Sequence, residues 1–481
     1  MHRRALLLGA LATAGCGAGP RAPDLNALYE ATGQIDPARR RPLITIPGFL
    51  GSRLRVGRDG PFAWGGDKRL SLNPFDSARD ARILSLPIGE GMEPLSALVD
   101  DVRPDGVLRR ARADLIGTTL EEAVYDGLVG VLNIAGYEFS RTVEEERARL
   151  GENPGSLEFP FDWRRDIVEA ARVLDDFVER KAKQVERVRA GRYGRGLSAE
   201  TLRFDFVAHS MGTLVLRYWL MYGAADLPSD GSLPPITWAG ARRAGTVVFV
   251  TPPNFGSVTA FEGLLKGRSF GPLQPEYPPS IIGTHPAVYQ LMPRERHRRL
   301  RLDTVEGPAV GGLYDVDTWE KHGWGLFAET EQKMLGVILD DGFRRPDRKG
   351  RIRAHVARCL TRAAQLHRAL DRPITDQPDG LRPYLVVGTG LDTPARAVLE
   401  RADHSIAEIV DEEGDGVVLR ASALMDEARL GNPADARQQR LSYAATLLLP
   451  GEHVELTQSA VFADNLLYWL TEGAPVLPDQ A

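Results

Sequence analysis

The stretch from Leu202 to Trp219 (LRFDFVAHSMGTLVLRYW) constrains this chain more than any other. Leu202 to Ala208 reads as a buried strand, and Met211 to Tyr222 is apolar almost all round, as a buried helix would be. Only His209 and Ser210 separate the two, so the chain must turn sharply at the serine. Such a turn tolerates only small residues two before and two after it, and Ala208 and Gly212 stand there. This strand–turn–helix arrangement lifts the Ser210 hydroxyl above a sheet edge. It also puts the Met211 N–H at a helix N-terminus, where developing negative charge is stabilised. The blander alternative is a serine that merely caps its helix. The strand–turn–helix setting favours a nucleophile.

The rest of the chain repeats the same rhythm. Short apolar runs at Arg41–Phe49, Leu157–Phe161, Gly245–Val250 and Pro383–Val387 read as buried strands. Ile167, Ala171, Leu174, Val178, Val185 and Val188 recur at helical spacing after the second of them. Strands alternating with helices predict an α/β fold: a mostly parallel sheet with helices on both faces. Residues 52–115 and 256–380 break the rhythm. The second stretch holds Phe261, Leu264, Leu265, Phe270, Leu273, Tyr277, Ile281 and Ile282 among prolines and glycines. We read it as a cap or lid that offers an acyl-chain surface, against an ordinary helical insertion with its own small core. The division expected is therefore core over 41–255, cap over 256–380 and core again over 381–481. The arginine-rich run Arg187–Arg203 reads as a solvated loop.

A serine hydroxyl needs a base to take its proton and a carboxylate to orient that base. In hydrolases built on this turn, the order is serine, acid, histidine. Seven histidines follow Ser210: His285, His297, His322, His355, His367, His404 and His453. Only His453 lies just after a strand-like run (Leu447-Leu448-Leu449) and just before the last helix. His404 follows Asp403 in a charged stretch and reads as a surface residue. Among acids, Asp415 stands in Gly414-Asp415-Gly416, where flanking glycines allow a sharp turn. Asp392 and Asp411 compete without that framing.

Charge and cysteine content narrow the classes. A formal net charge of −5 argues against a nucleic-acid partner. Two cysteines exclude a disulfide framework and a cysteine-built zinc site. No metal or organic cofactor is expected, because neither ligand spacing nor a phosphate-cradling loop occurs. Cys359 reads as a buried structural thiol.

The chain opens with an address. Arg3 and Arg4 precede an apolar stretch from Ala5 to Ala14, too short to span a bilayer and suited to an export signal. Thr13-Ala14-Gly15-Cys16 resembles a bacterial lipobox, which makes Cys16 the expected lipidation site. Residues 1–15 then form the signal and 16–40 a tether. The expected location is the periplasmic or cell-surface side of a bacterial membrane.

Several motifs together resemble the lecithin:cholesterol acyltransferase family, which includes phospholipid:diacylglycerol acyltransferases and lysosomal phospholipase A2. They are Pro47 to Ser52 (PGFLGS), Phe161 to Arg165 (FDWRR), Ala208 to Gly212, Thr251 to Ser257 (TPPNFGS), Pro286 to Pro293 (PAVYQLMP), Gly414-Asp415-Gly416 and Glu452-His453. They run in family order over most of the chain. The resemblance implies an α/β-hydrolase fold with a cap and a triad at Ser210, Asp415 and His453. It further implies oxyanion donors at the Phe49 and Met211 amides, and a structural role for Asp162 to Arg165. The animal members' disulfides cannot form here. The expected substrates are a fatty acyl ester and either water or an alcohol acceptor, met at a membrane surface. A general carboxylesterase, or a surface lipoprotein that binds lipid without catalysis, remains open at this stage.

Overall fold

The computed structural model describes residues 40–66, 77–89, 91, 93–115, 118–123, 125–134, 136–137, 155–193, 202–269, 276–339, 347–430 and 441–471. The expected signal, Cys16 and the tether up to residue 39 lie outside them. Six strands form the central sheet: β1 (Leu43–Ile46), β2 (Ser156–Glu158), β3 (Phe204–His209), β4 (Ala244–Val250), β5 (Arg382–Thr389) and β6 (Ala445–Pro450). Their order is β6-β5-β4-β3-β1-β2, and every neighbouring pair is parallel. Strands covered on both faces read as continuous apolar runs, and β3 and β4 are buried along their whole length. The one charge inside β3, Asp205, is matched: its Oδ1 accepts from Arg41 at 2.9 Å and from the Thr246 N–H at 2.7 Å.

Successive strand side chains point to opposite faces, and each face has its own cover. Phe204, Phe206, Ala208, Val247, Phe249, Leu385 and Val387 pack on one side. There they meet α2 (Ile167–Tyr193), α3 (Met211–Tyr222) and α5 (Arg348–Leu370). Val207, Val248, Val250, Tyr384 and Val386 pack on the other, under α1 (Asp126–Ile134) and α6 (Ala460–Thr471). The apolar stripe of α2 is buried at Ile167, Ala171, Leu174, Val178 and Val185. By the last turns the stripe has rotated off Val188 and onto Arg189. That residue is buried, and its guanidinium donates to the Arg40 carbonyl at 2.7 Å. The arginine-rich run is thus helical as far as Tyr193 and, at Arg189, structural rather than solvated.

Two further expectations change. Residues 52–115 contain the antiparallel strands Ser52–Val56, Phe62–Trp64 and Val102–Val107, whose shortness and bulges hid their period. Within 256–380, Phe261, Leu264, Tyr277, Ile281 and Ile282 are buried in the main core, so these side chains pack rather than present an acyl-chain surface. Residues 270–275, including Phe270 and Leu273, lie outside the described residues. The same stretch contributes α4 (Val258–Lys266), α5 and a strand, Leu300–Leu302. That strand pairs in parallel with Leu391–Leu399, which itself pairs with Ile406–Gly414. A small three-stranded sheet therefore crosses the boundary expected at 380/381. Among the described residues, no helix is long and apolar enough to cross a membrane.

Candidate active site

The candidate residues gather at the C-terminal edge of the parallel sheet. Ser210 follows β3 directly and holds φ 51°, ψ −127°, a conformation that costs a non-glycine residue on the order of 1–3 kcal/mol. Neighbours enforce it. The Ser210 N–H donates to the Val250 carbonyl at 2.9 Å, and its own carbonyl accepts from the Thr213 N–H at 2.9 Å. The Gly212 requirement is steric, since a Cβ there would stand 2.3 Å from the Pro47 carbonyl oxygen. Helix α3 starts at Met211, whose N–H has no acceptor within the helix.

The loop after β1 presses against the serine. A Cβ at Gly48 would lie 2.8 Å from Ser210 Cβ and 3.3 Å from its Oγ, so only glycine allows that approach. Phe49 follows and packs edge-on to Trp163, with ring centroids 5.0 Å apart. Leu50 sits at φ 62°, and its carbonyl accepts from Trp64 Nε1 at 2.9 Å. Trp163 Nε1 donates to the Ser52 carbonyl at 3.1 Å. The Arg164 fork grips Asp162 at 2.9 and 2.7 Å and the Ile83 and Leu84 carbonyls, both at 3.2 Å. Asp162 to Arg165 thus frames this loop.

Asp415 and His453 are brought together. The imidazole Nδ1 lies 2.8 Å from Asp415 Oδ2 and 3.2 Å from Thr251 Oγ1. Asp415 Oδ1 accepts from the Val417 and Val418 N–H groups at 3.1 and 2.7 Å. Burial alone would raise the Asp415 pKa. The adjacent imidazole, its hydrogen bond and the two amides outweigh burial and hold the carboxyl below its usual range. The route to this position is indirect. After β5 the chain leaves as the hairpin Leu391–Leu399/Ile406–Gly414 and returns where it left, with Leu391 opposite Gly414. Asp415 therefore lands beside the end of β5, where a Cβ on Gly388 would stand 2.4 Å from Asp415 Cβ. Asp392 and Asp411 lie exposed along that hairpin.

His209, next to the serine, is buried between two partners. Its Nδ1 is 2.8 Å from Tyr125 Oη and its Nε2 is 3.0 Å from the His453 carbonyl oxygen. Burial pushes its pKa down to about 3. The remaining histidines lie elsewhere. His285, His297, His355 and His367 are buried. His404 is half-buried rather than a surface residue, its ring stacked on His322 with centroids 3.7 Å apart. Cys359 is buried inside α5. Sequence reasoning quoted Gly48, His209 and Thr251 within motifs but gave them no role of their own, and it missed Tyr125 and Gly388. His209 lay in plain view within the serine turn, whereas Tyr125 gave no local signal.

No protein-family model matches the chain, and no curated protein does. Solved structures do resemble it. A Tle4–Tli4 complex matches at TM-score 0.54 and 15% identity, covering 90% of this chain and 99% of that one. Lipase 1 from Pelosinus fermentans covers 90% of this chain and 99% of its own, at TM-score 0.33 and 13% identity. With its parallel sheet, two helical layers and serine turn at the strand edge, the chain has the α/β-hydrolase fold.

Proposed function

We propose that the protein is an exported, lipid-anchored serine enzyme acting on fatty acyl esters, as a lipase or phospholipase or as an O-acyltransferase. One observation supports this above all: a buried carboxylate orients an imidazole whose ring lies 4.7 Å from that of His209, the residue before a serine held in a strained turn. In this reading His453 Nε2 takes the Ser210 proton as Oγ attacks the ester carbonyl carbon. The Phe49 and Met211 amides receive the oxyanion. As the tetrahedral centre collapses, the ester C–O bond breaks and His453 returns the proton to the leaving alcohol. Water or an acceptor alcohol then attacks the acyl-enzyme under the same base, giving fatty acid or a new ester.

The lipid preference rests on the family resemblance of Pro47–Ser52, Thr251–Ser257 and Pro286–Pro293, and the membrane location on Arg3, Arg4 and Cys16. Product analysis with acyl-labelled phospholipid, with and without a sterol or diacylglycerol acceptor, tests the reading. Labelled fatty acid or acylated acceptor supports it. Turnover confined to short water-soluble esters would replace it with a general carboxylesterase.

A further inference from the structure

Three segments must hold register for the chemistry proposed above: the loop with Gly48 and Phe49, the Ser210 turn, and the His453 loop. One chain of buried side-chain hydrogen bonds joins all three. The Gly48 N–H meets Tyr125 Oη at 2.8 Å, Tyr125 Oη meets His209 Nδ1 at 2.8 Å, and His209 Nε2 meets the His453 carbonyl at 3.0 Å. The protons can be assigned from the ends inward. A backbone carbonyl only accepts, so His209 Nε2 carries its hydrogen. A neutral imidazole then offers a lone pair at Nδ1, so Tyr125 donates there. The Gly48 amide only donates, and the phenol oxygen accepts it. Every member is satisfied in a single direction.

We propose that Tyr125 and His209 are positioning residues that lock the oxyanion loop, the nucleophile turn and the base into one geometry. The inference rests on the serine-enzyme reading. The rings stand nearly perpendicular, 76° apart with centroids at 5.6 Å, and His209 lies 4.7 Å from the His453 ring. On one side the pair borders a cavity of about 10 Å³, which Thr45, Pro47, Glu158 and Thr457 also line. Tyr125 and His209 are otherwise buried, so ring contacts and these hydrogen bonds together set their orientation. Phe49 is joined to Gly48 by one peptide and Ser210 to His209 by another. Movement at either ring shifts both an oxyanion donor and the nucleophile.

Tyr125→Phe removes one hydroxyl and tests this. We expect kcat on an ester to fall about ten- to a hundred-fold with KM within about two-fold, because displacement of about 1 Å costs about a hundred-fold. Labelling of Ser210 by a fluorophosphonate should slow in parallel. His209→Asn, which loses the donor to His453, should show the same split and serves if Tyr125→Phe does not fold. The double variant should lose little beyond the worse single one, since both break one network. A folded Tyr125→Phe that keeps wild-type kcat and labelling rate overturns the positioning role. Wild-type protein that is not labelled at Ser210 overturns the serine-enzyme reading first, and this inference with it.

Discussion

Asp415 and His453 are tied to each other twice: Oδ2 of the acid lies 2.8 Å from the imidazole Nδ1, and its backbone carbonyl accepts the His453 N–H at 3.0 Å. The side-chain bond fixes the tautomer that leaves Nε2 free of hydrogen, and the backbone bond fixes where the ring starts. Asp415 can hold this role because Val417 and Val418 occupy its other oxygen.

Asp415→Asn should keep both amide contacts and the fold but present an N–H to Nδ1, inverting the tautomer. On the precedent of triad carboxylates, kcat should fall about ten-thousand-fold. Steady-state kinetics alongside circular dichroism checks this. A folded Asn variant within ten-fold of wild type would remove Asp415 from the site.

Two glycines make a matched pair. Gly48→Ala drives a methyl against Ser210 Cβ and should abolish turnover while costing about 1–3 kcal/mol of stability. Gly130 lies in α1 with nothing within 4 Å of its missing Cβ, so Gly130→Ala should stabilise by roughly 1 kcal/mol and leave turnover intact. Urea melts and ester assays separate the two. Equal effects would contradict the close approach at Gly48.

Burial pushes His209 and His285 down to about 3. Both should stay neutral in the folded protein at pH 5, with ¹⁵N shifts that do not move between pH 7 and 5. The sign for stability follows: a depressed histidine binds its proton on unfolding. Each such group therefore removes stability as pH falls from 6.5 toward 3, by up to about 1.4 kcal/mol per pH unit. Asp205 and Glu158, whose carboxyls burial raises, act in the opposite direction, so the imidazole spectra are the direct readout. An imidazole at either position titrating near 6.5 would show that it is not buried as described.

What the sequence revealed was local. The bounds of α3 are those expected from its apolar run, because the Ser210 turn and Gly223 punctuate it at both ends. Asp415 and His453 stood out because glycines frame one and a strand and helix frame the other. What stayed hidden depends on distant segments. The hairpin that returns Asp415 to the end of β5 is invisible from its own residues, since Leu391 must find Gly414. The Tyr125–His209 bond joins positions 84 residues apart. The burial of Arg189 follows from helix phase, because a 3.6-residue period rotates its stripe away from Val188 over about six turns.

The central claim is that Ser210 forms a covalent acyl-enzyme, and intact-protein mass spectrometry after brief exposure to a fatty acyl ester tests it most directly. The structure predicts a mass increase of one acyl group that maps to the peptide containing Ser210 and is absent from Ser210→Ala, with the variant's fold unchanged. Ester turnover in Ser210→Ala at the wild-type rate would contradict it.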